Sequence, residues 1–460
     1  MTARLPARLG GRQGAQTSNR LAKQHFDLQL CLFTYALAIF GVIAVTAATY
    51  ASQSAATGVT TLFARITQSY YGRWQGIFLL ISPIVIAGVL AIDYRLLAAP
   101  VFANALYLGG CGLLLLAFTA QSFRGVQGWI SLIWDRTVQP AELAKLAIIL
   151  RLAQRLSRKD KPLSGAWDFI RMGMIVAVPL VLILAEGEMG SAVVILFFVM
   201  VMIIIAGVDA RMILGILLAA GAMMPPLVMY MQRSGSYRFQ RLLAFFDPTS
   251  VSADITYQQR NSQIAVGAGG MNGVGLFQDG SLSSLNFVPE DYTDFIFSSI
   301  GETMGFVGCM ALLVLYLLLI IRMVVLAVNT QDKFGQLIIV GVASMLMFHI
   351  YQGVGMCIGL MPVMGIPLPF VSYGGSNLTV NMAGVALVLN VTMRKPQPTY
   401  VAEAAATRTR KSKVPRAERR NAKPSGRVTA PPLPAQMHSE DARAPAVRQQ
   451  EDGPMRLERY

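Results

Sequence analysis

Glu142 and Lys145 stand three residues apart at the start of an otherwise apolar run, a spacing that puts both on one face of a helix. Ionisable groups inside an apolar run are costly in lipid and mark candidate functional positions. The same pair also reads as a mutually neutralising ion pair that serves packing alone. Glu186 and Glu188 fall at the end of another apolar run, either as a solvated helix end or as site groups. Glu290, Asp291, Asp294 and Glu302 bracket the start of a third. Asp294 is followed by Phe295, Ile296 and Phe297, so its carboxylate sits at an apolar boundary. Partial desolvation there makes a carboxylate a better proton acceptor. The plainer reading of Asp294 is a helix N-cap. Together these groups could move a proton beside a charge-stabilising cation. No nucleotide chemistry is indicated: there is no P-loop, and the glycines at 267, 269, 270, 273 and 275 follow no strand, which suits tight turns better.

The elements that must hold these residues are membrane helices. The chain has 460 residues, 54% hydrophobic and 14% charged, against about 25% charged in a soluble domain. The apolar residues come in blocks of about 20, enough to cross a ~30 Å hydrocarbon core. Ten spans are expected, at 28–50, 76–92, 96–118, 142–156, 171–185, 191–208, 212–231, 306–326, 336–360 and 376–393. The fold class is an all-α polytopic membrane protein with both termini in the cytoplasm.

Charge sets that orientation. The N-terminal stretch 1–27 carries Arg4, Arg8, Arg12, Arg20 and Lys23, and no cleavage site follows a short apolar core. The alternate loops carry Arg95; Arg155, Arg158, Lys159 and Lys161; Arg211; and Arg322 and Lys333, whereas the loop 361–375 has no charge. Basic loops face inward. The same rule accounts for the +15 net charge, so nucleic acid is not an expected partner. A long extracytoplasmic loop, 232–293, joins the seventh and eighth spans, with apolar stretches that suit folding against the membrane surface. The tail 394–460 is basic and poor in large apolar residues, which predicts disorder. Cys31, Cys111, Cys309 and Cys357 all lie in apolar runs, and His25, His349 and His438 are scattered. Neither a disulfide nor a metal site is expected from that pattern.

Four motifs then carry a resemblance. Residues 139–146, Gln-Pro-Ala-Glu-Leu-Ala-Lys-Leu, resemble the QPSELAKL of the SEDS family (RodA, FtsW, SpoVE). Residues 257–259 and 262–270 are similar to its YQ…QSxIAIGSGG, residues 286–297 to FLPExHTDFIF, and residues 359–376 to GxLPVTGIPLPFxSYGGSS. The resemblance spans roughly 28–393. Asp93-Tyr94-Arg95 and Asn286-Phe287 lean toward the RodA branch. Five positions depart from the family pattern. Glu188 stands for Asp, Tyr292 for His, Thr303 for Glu, Gly128 for Arg and Gly353 for Asn.

The resemblance implies a peptidoglycan glycosyltransferase in the cytoplasmic membrane that polymerises lipid II on its outer face. Asp294 matches the family's essential aspartate, and Glu142 and Lys145 match its buried charged pair. Asp294 would deprotonate a sugar 4-hydroxyl as it displaces the lipid pyrophosphate with inversion. Lys145, with Arg136 and Arg260 as further candidates, would steady the developing charge. Glu188, Gln263, Glu290, Glu302, Ser372 and Tyr373 are the expected substrate-binding residues. The resemblance assigns no definite cofactor and leaves a divalent cation open. The implied partners are lipid II, lipid-linked glycan and a class B penicillin-binding protein transpeptidase. A lipid II flippase and a non-catalytic scaffold of the cell-wall machinery are the competing readings. A flippase needs a polar path through the bilayer and no general base outside it.

Overall fold

The computed structural model describes residues 26–50, 61–119, 128–131, 137–158, 166–208, 210–233, 237–247, 249–278, 281–283, 285 and 287–394. The expected N-terminal basic stretch before residue 26 and the tail beyond residue 394 lie outside the described residues. Among the described residues the regular structure is helical but for one short hairpin, β1 (Ile130–Ser131) on β2 (Thr137–Val138), with Ile130 opposite Val138.

The helices are α1 (Leu28–Ala48), α2 (Leu62–Gln68), α3 (Tyr70–Ala91), α4 (Tyr94–Leu97), α5 (Pro100–Ala117), α6 (Pro140–Ser157) and α7 (Ala166–Glu186). After them come α8 (Met189–Ile205), α9 (Ala210–Arg233), α10 (Tyr237–Phe246), α11 (Ala253–Ala268), α12 (Ile296–Val328), α13 (Lys333–Cys357) and α14 (Gly375–Met393). Every one of the ten expected spans coincides with a helix. Six of these, α1, α3, α5, α12, α13 and α14, are long and apolar enough to cross a bilayer. The chain is a multi-pass membrane protein.

α6 is central. Charged at four positions, it reads from sequence as the weakest span, yet 14 of its 18 residues are buried. It lies against α5 and α13, while α13 also packs on α8 and α12, and α14 on α3. Helix ends are closed by side chains: Asp27 Oδ1 accepts from Leu30 N–H at 2.9 Å, and Asp332 accepts from Gly335 N–H at 2.9 Å. Asp27 also receives Arg322 of α12 at 2.6 Å. At the other end of α3, Asn390 of α14 accepts from Tyr94 N–H and donates to Val89 O and Ile92 O, at 3.2, 2.7 and 2.6 Å. The four cysteines are free.

The eighth span departs from expectation. The sequence places its start at residue 306, but α12 begins at Ile296 and runs 33 residues, about 50 Å at helical rise. Residues 296–303 are buried in protein, so hydropathy against lipid does not find them. The helix breaks at Gly305, at φ 65°. The backbone groups freed there are met by the glycine-rich segment after α11. Val274 N–H and Gly275 N–H donate to the carbonyls of Glu302 and Thr303 at 2.9 and 3.1 Å, and Phe306 N–H donates to Gly270 O at 2.9 Å. A Cβ on Gly273 would lie 2.3 Å from Thr303 O. The glycines thus serve close backbone approach as well as turning. The long loop is itself structured, carrying α10 and α11.

Candidate active site

The functional side chains fall into two groups joined by one loop. In the first, Glu142 and Lys145 lie on the inward face of α6. Lys145 is fully buried, and its Nζ is 2.7 Å from Glu142 Oε1 and 2.9 Å from His349 Nε2 of α13. His349 Nδ1 is 2.7 Å from Met345 O. A carbonyl only accepts, so Nδ1 carries the proton and Nε2 accepts from the ammonium. His349 was not picked out by sequence, although an ionisable residue in an expected span is a signal in itself.

Glu188 borders this group at the turn between α7 and α8. It is buried, and burial pushes its carboxyl up to about 7, opposed by a hydrogen bond from Gln139 and raised further by the Glu142 charge. Ser191 donates to its Oε2 at 3.2 Å. Two of the family departures explain each other here. A Cβ on Gly128 would lie 2.1 Å from Glu188 Oε1. The glycine therefore makes the room that the longer carboxylate fills.

The second group surrounds Asp294, which is half-buried just before α12. The N-cap position belongs to Phe295, not to Asp294. Glu290, at φ 61°, turns the chain so that its carbonyl accepts from Thr293 N–H at 3.1 Å and Phe295 N–H at 3.3 Å. Ser372 closes this turn from the loop before α14: its Oγ donates to Thr293 O at 2.6 Å and accepts from Leu368 N–H at 2.8 Å. Tyr373 N–H donates to Tyr292 O at 2.9 Å. Tyr292, the residue in place of histidine, stacks on Tyr71 at 4.4 Å, and Tyr373 meets Tyr71 edge-on at 5.0 Å. Asp291 is 2% exposed, and burial, with the Glu302 and Glu290 charges, pushes its carboxyl up to about 8 against a backbone N–H bond from Tyr292.

The loop 358–374 touches both groups. A Cβ on Gly190, at the start of α8, would lie 2.8 Å from Met364 O, and one on Gly365 would lie 3.3 Å from Asp294 Oδ2. Gly353 leaves space that Leu368 occupies, since a Cβ there would come within 2.5 Å of Leu368 Cδ1.

The other expected residues are placed as follows. Glu302 is buried and committed to the chain, accepting from Leu282 N–H at 2.5 Å, Ser283 N–H at 3.0 Å and Ser283 Oγ at 2.6 Å. Arg260 and Gln263 are exposed on α11, with Gln263 against Gly359. Arg136 lies outside the described residues. Among the described residues no group of three or more His, Cys, Asp or Glu is arranged to hold a metal ion.

The model of the cell cycle protein family of FtsW, RodA and SpoVE matches residues 28–397. The chain belongs to this family. Its members include a probable peptidoglycan glycosyltransferase FtsW of Geobacter sp. (strain M18), 33% identical over 373 residues, 80% of this chain and 97% of that one. The peptidoglycan glycosyltransferase MrdB of Escherichia coli (strain K12) is 35% identical over 275 residues, 60% of this chain and 73% of its own. Among solved structures, a component of a peptidoglycan synthase complex that coordinates polymerisation and crosslinking superposes with a TM-score of 0.66 at 27% identity, covering 81% of this chain and 99% of that one. The rod shape determining protein RodA of Thermus thermophilus gives 0.58 at 25% identity, covering 81% and 98%. Within the FtsW/RodA/SpoVE family, then, relatives of both the FtsW and the RodA kind align with this chain.

Proposed function

We propose that this FtsW/RodA/SpoVE family member is a peptidoglycan glycosyltransferase of cell-wall synthesis that extends glycan strands from lipid II. All ten long helices cross the cytoplasmic membrane, both termini lie inside, and the loop 232–293 lies outside. Asp294 is the general base. It takes the proton from the attacking sugar 4-hydroxyl while the polyprenyl pyrophosphate leaves and the anomeric centre inverts. The observation that carries this reading is the half-buried Asp294, set just before the N-terminal end of α12 and held from two sides by the turn of Glu290 and the loop of Ser372.

Lys145 supports the leaving group through its field, because its Nζ is spent on Glu142 and His349. That engagement also argues against transport. The intramembrane charges of this group are paired with one another. A class B penicillin-binding protein is the proposed partner for crosslinking.

The test is polymerisation of labelled lipid II by purified protein. Asp294→Asn is expected to lose about 10²–10⁴-fold in rate while lipid II binding stays near wild type. Asp291→Asn and Glu290→Gln, on the same segment, are the controls. Equal small losses in all three would refute Asp294 as the base.

A further inference from the structure

α3 is a peripheral helix. Only Gly72, Gln75, Ser82 and Ile86 of its 22 residues are buried, and Leu80, Ile81 and Ile84 stand exposed. An apolar residue at each inward position would suffice for packing in such a helix. Gln75 breaks that pattern. It is fully buried, and both ends of its amide are used on the loop before α14. Nε2 donates to Ser372 O at 3.1 Å, and Oε1 accepts from Gly374 N–H at 3.3 Å. A buried carboxamide is expensive unless both ends are bonded. Bonded so, it fixes the two backbone groups on either side of Tyr373 in one plane.

Those backbone groups are one step from Asp294. Ser372 bonds the carbonyl of Thr293 and Tyr373 bonds the carbonyl of Tyr292, the two residues that precede the aspartate. One turn earlier on α3, Tyr71 meets the rings of both Tyr292 and Tyr373. α3 therefore grips the aspartate segment and its bracing loop together, from outside the core. A general base must stand within hydrogen-bond reach of its proton, and a displacement of about 1 Å can cost on the order of 10²-fold in rate.

We propose that Gln75 is a positioning residue for Asp294, acting through the Ser372–Thr293 bond. The inference rests on the reading of Asp294 as the general base. It assigns a peripheral helix a direct part in setting the reactive geometry.

The experiment measures kcat and KM for lipid II polymerisation by the full chain. The variants are Gln75→Met, which keeps length and removes the amide, and Gln75→Glu, which keeps an acceptor and loses the donor. The control is Asn390→Leu, which frees the opposite end of α3 from α14. Thermal stability is measured on all of them. Both Gln75 variants are expected to lose about 10–100-fold in kcat with KM within about twofold of wild type. Asn390→Leu is expected to melt earlier with the kcat of the folded protein unchanged. The inference is overturned if folded Gln75 variants keep wild-type kcat, if only KM changes, or if Asn390→Leu loses kcat as much. A wild-type chain that does not polymerise at all would refute the underlying polymerase reading, and the inference would fall with it. An active wild type beside unaltered Gln75 variants would refute the inference alone.

Discussion

Replacing Lys145 by methionine removes the cation at the centre of the buried group. Its Nζ bonds Glu142 Oε1 at 2.7 Å, and the two side chains are 1% and 3% exposed. Glu142 Oε2 has no hydrogen-bond partner among the described residues, so Lys145 is what neutralises the carboxylate. At an effective dielectric of about 20, unit charges at that distance attract by roughly 6 kcal/mol. The net cost of stranding one partner of a buried pair is smaller, about 3–5 kcal/mol. Against a total stability of about 5–15 kcal/mol, Lys145→Met should melt well below wild type in detergent. Pairing it with Glu142→Gln leaves no charge to strand, and the double variant should recover most of the loss. His349→Ala strands no charge but removes the acceptor of Lys145 and the Nδ1–H bond to Met345 O, and should cost about 1–3 kcal/mol. Thermal unfolding followed by size-exclusion chromatography reads all three. A Lys145→Met protein that melts with wild type, or a double variant no better than the single, would refute this account of α6.

Two further outcomes follow from the turn at Asp291 and the break at Gly305. The Asp291 carboxyl is raised to about 8 from about 3.9 in an unfolded chain, so the folded protein holds the proton more tightly. Its stabilising contribution is full below pH ~4 and lost as pH rises through ~8. Melting temperature measured from pH 5 to 9 should fall in wild type and fall less in Asp291→Asn. Gly305→Ala places a Cβ 2.3 Å from Gly273 N at φ 65°. The strain should cost about 1–3 kcal/mol or more, seen as a lower melting temperature, whereas Gly109→Ala, with open space at its Cβ, should stay near wild type.

Much of this architecture was legible in the sequence because lipid simplifies the problem. Each expected span is a helix, since a chain in hydrocarbon must satisfy its backbone internally. The errors have a common cause. α6 looked weak because hydropathy penalises Glu142, Lys145 and Arg151, and a one-dimensional scale does not see that Glu142 and Lys145 face each other inside protein. α12 looked short for the same reason: residues 296–303 are buried against the chain, not against lipid. At the site, the i, i+3 spacing of Glu142 and Lys145 shows in space as an ion pair, and Asp294, followed by three apolar residues, is half-buried just before α12. His349 is some two hundred residues from Lys145, so its contact needed the fold. The exchange between Gly128 and Glu188 is likewise invisible along the chain. A missing side chain and a lengthened one become a matched pair only in space.

Long-range bonds tie early helices to late segments of the chain. Gln75 reaches Ser372 across 297 positions, Tyr94 reaches Asn390 across 296, and Arg322 reaches Asp27 across 295. By contrast, the splice at Gly305 joins segments about thirty residues apart. The two kinds of contact form at different times during synthesis. The α11–α12 contacts and the docking of α1 on α12 can form once α12 has been made, while α3 waits for α14 and the loop before it. Contacts of such separation are slow to close. Asp294 therefore has its brace only once residues 372–374 have been made, and a nascent chain that ends before Ser372 carries the aspartate without it.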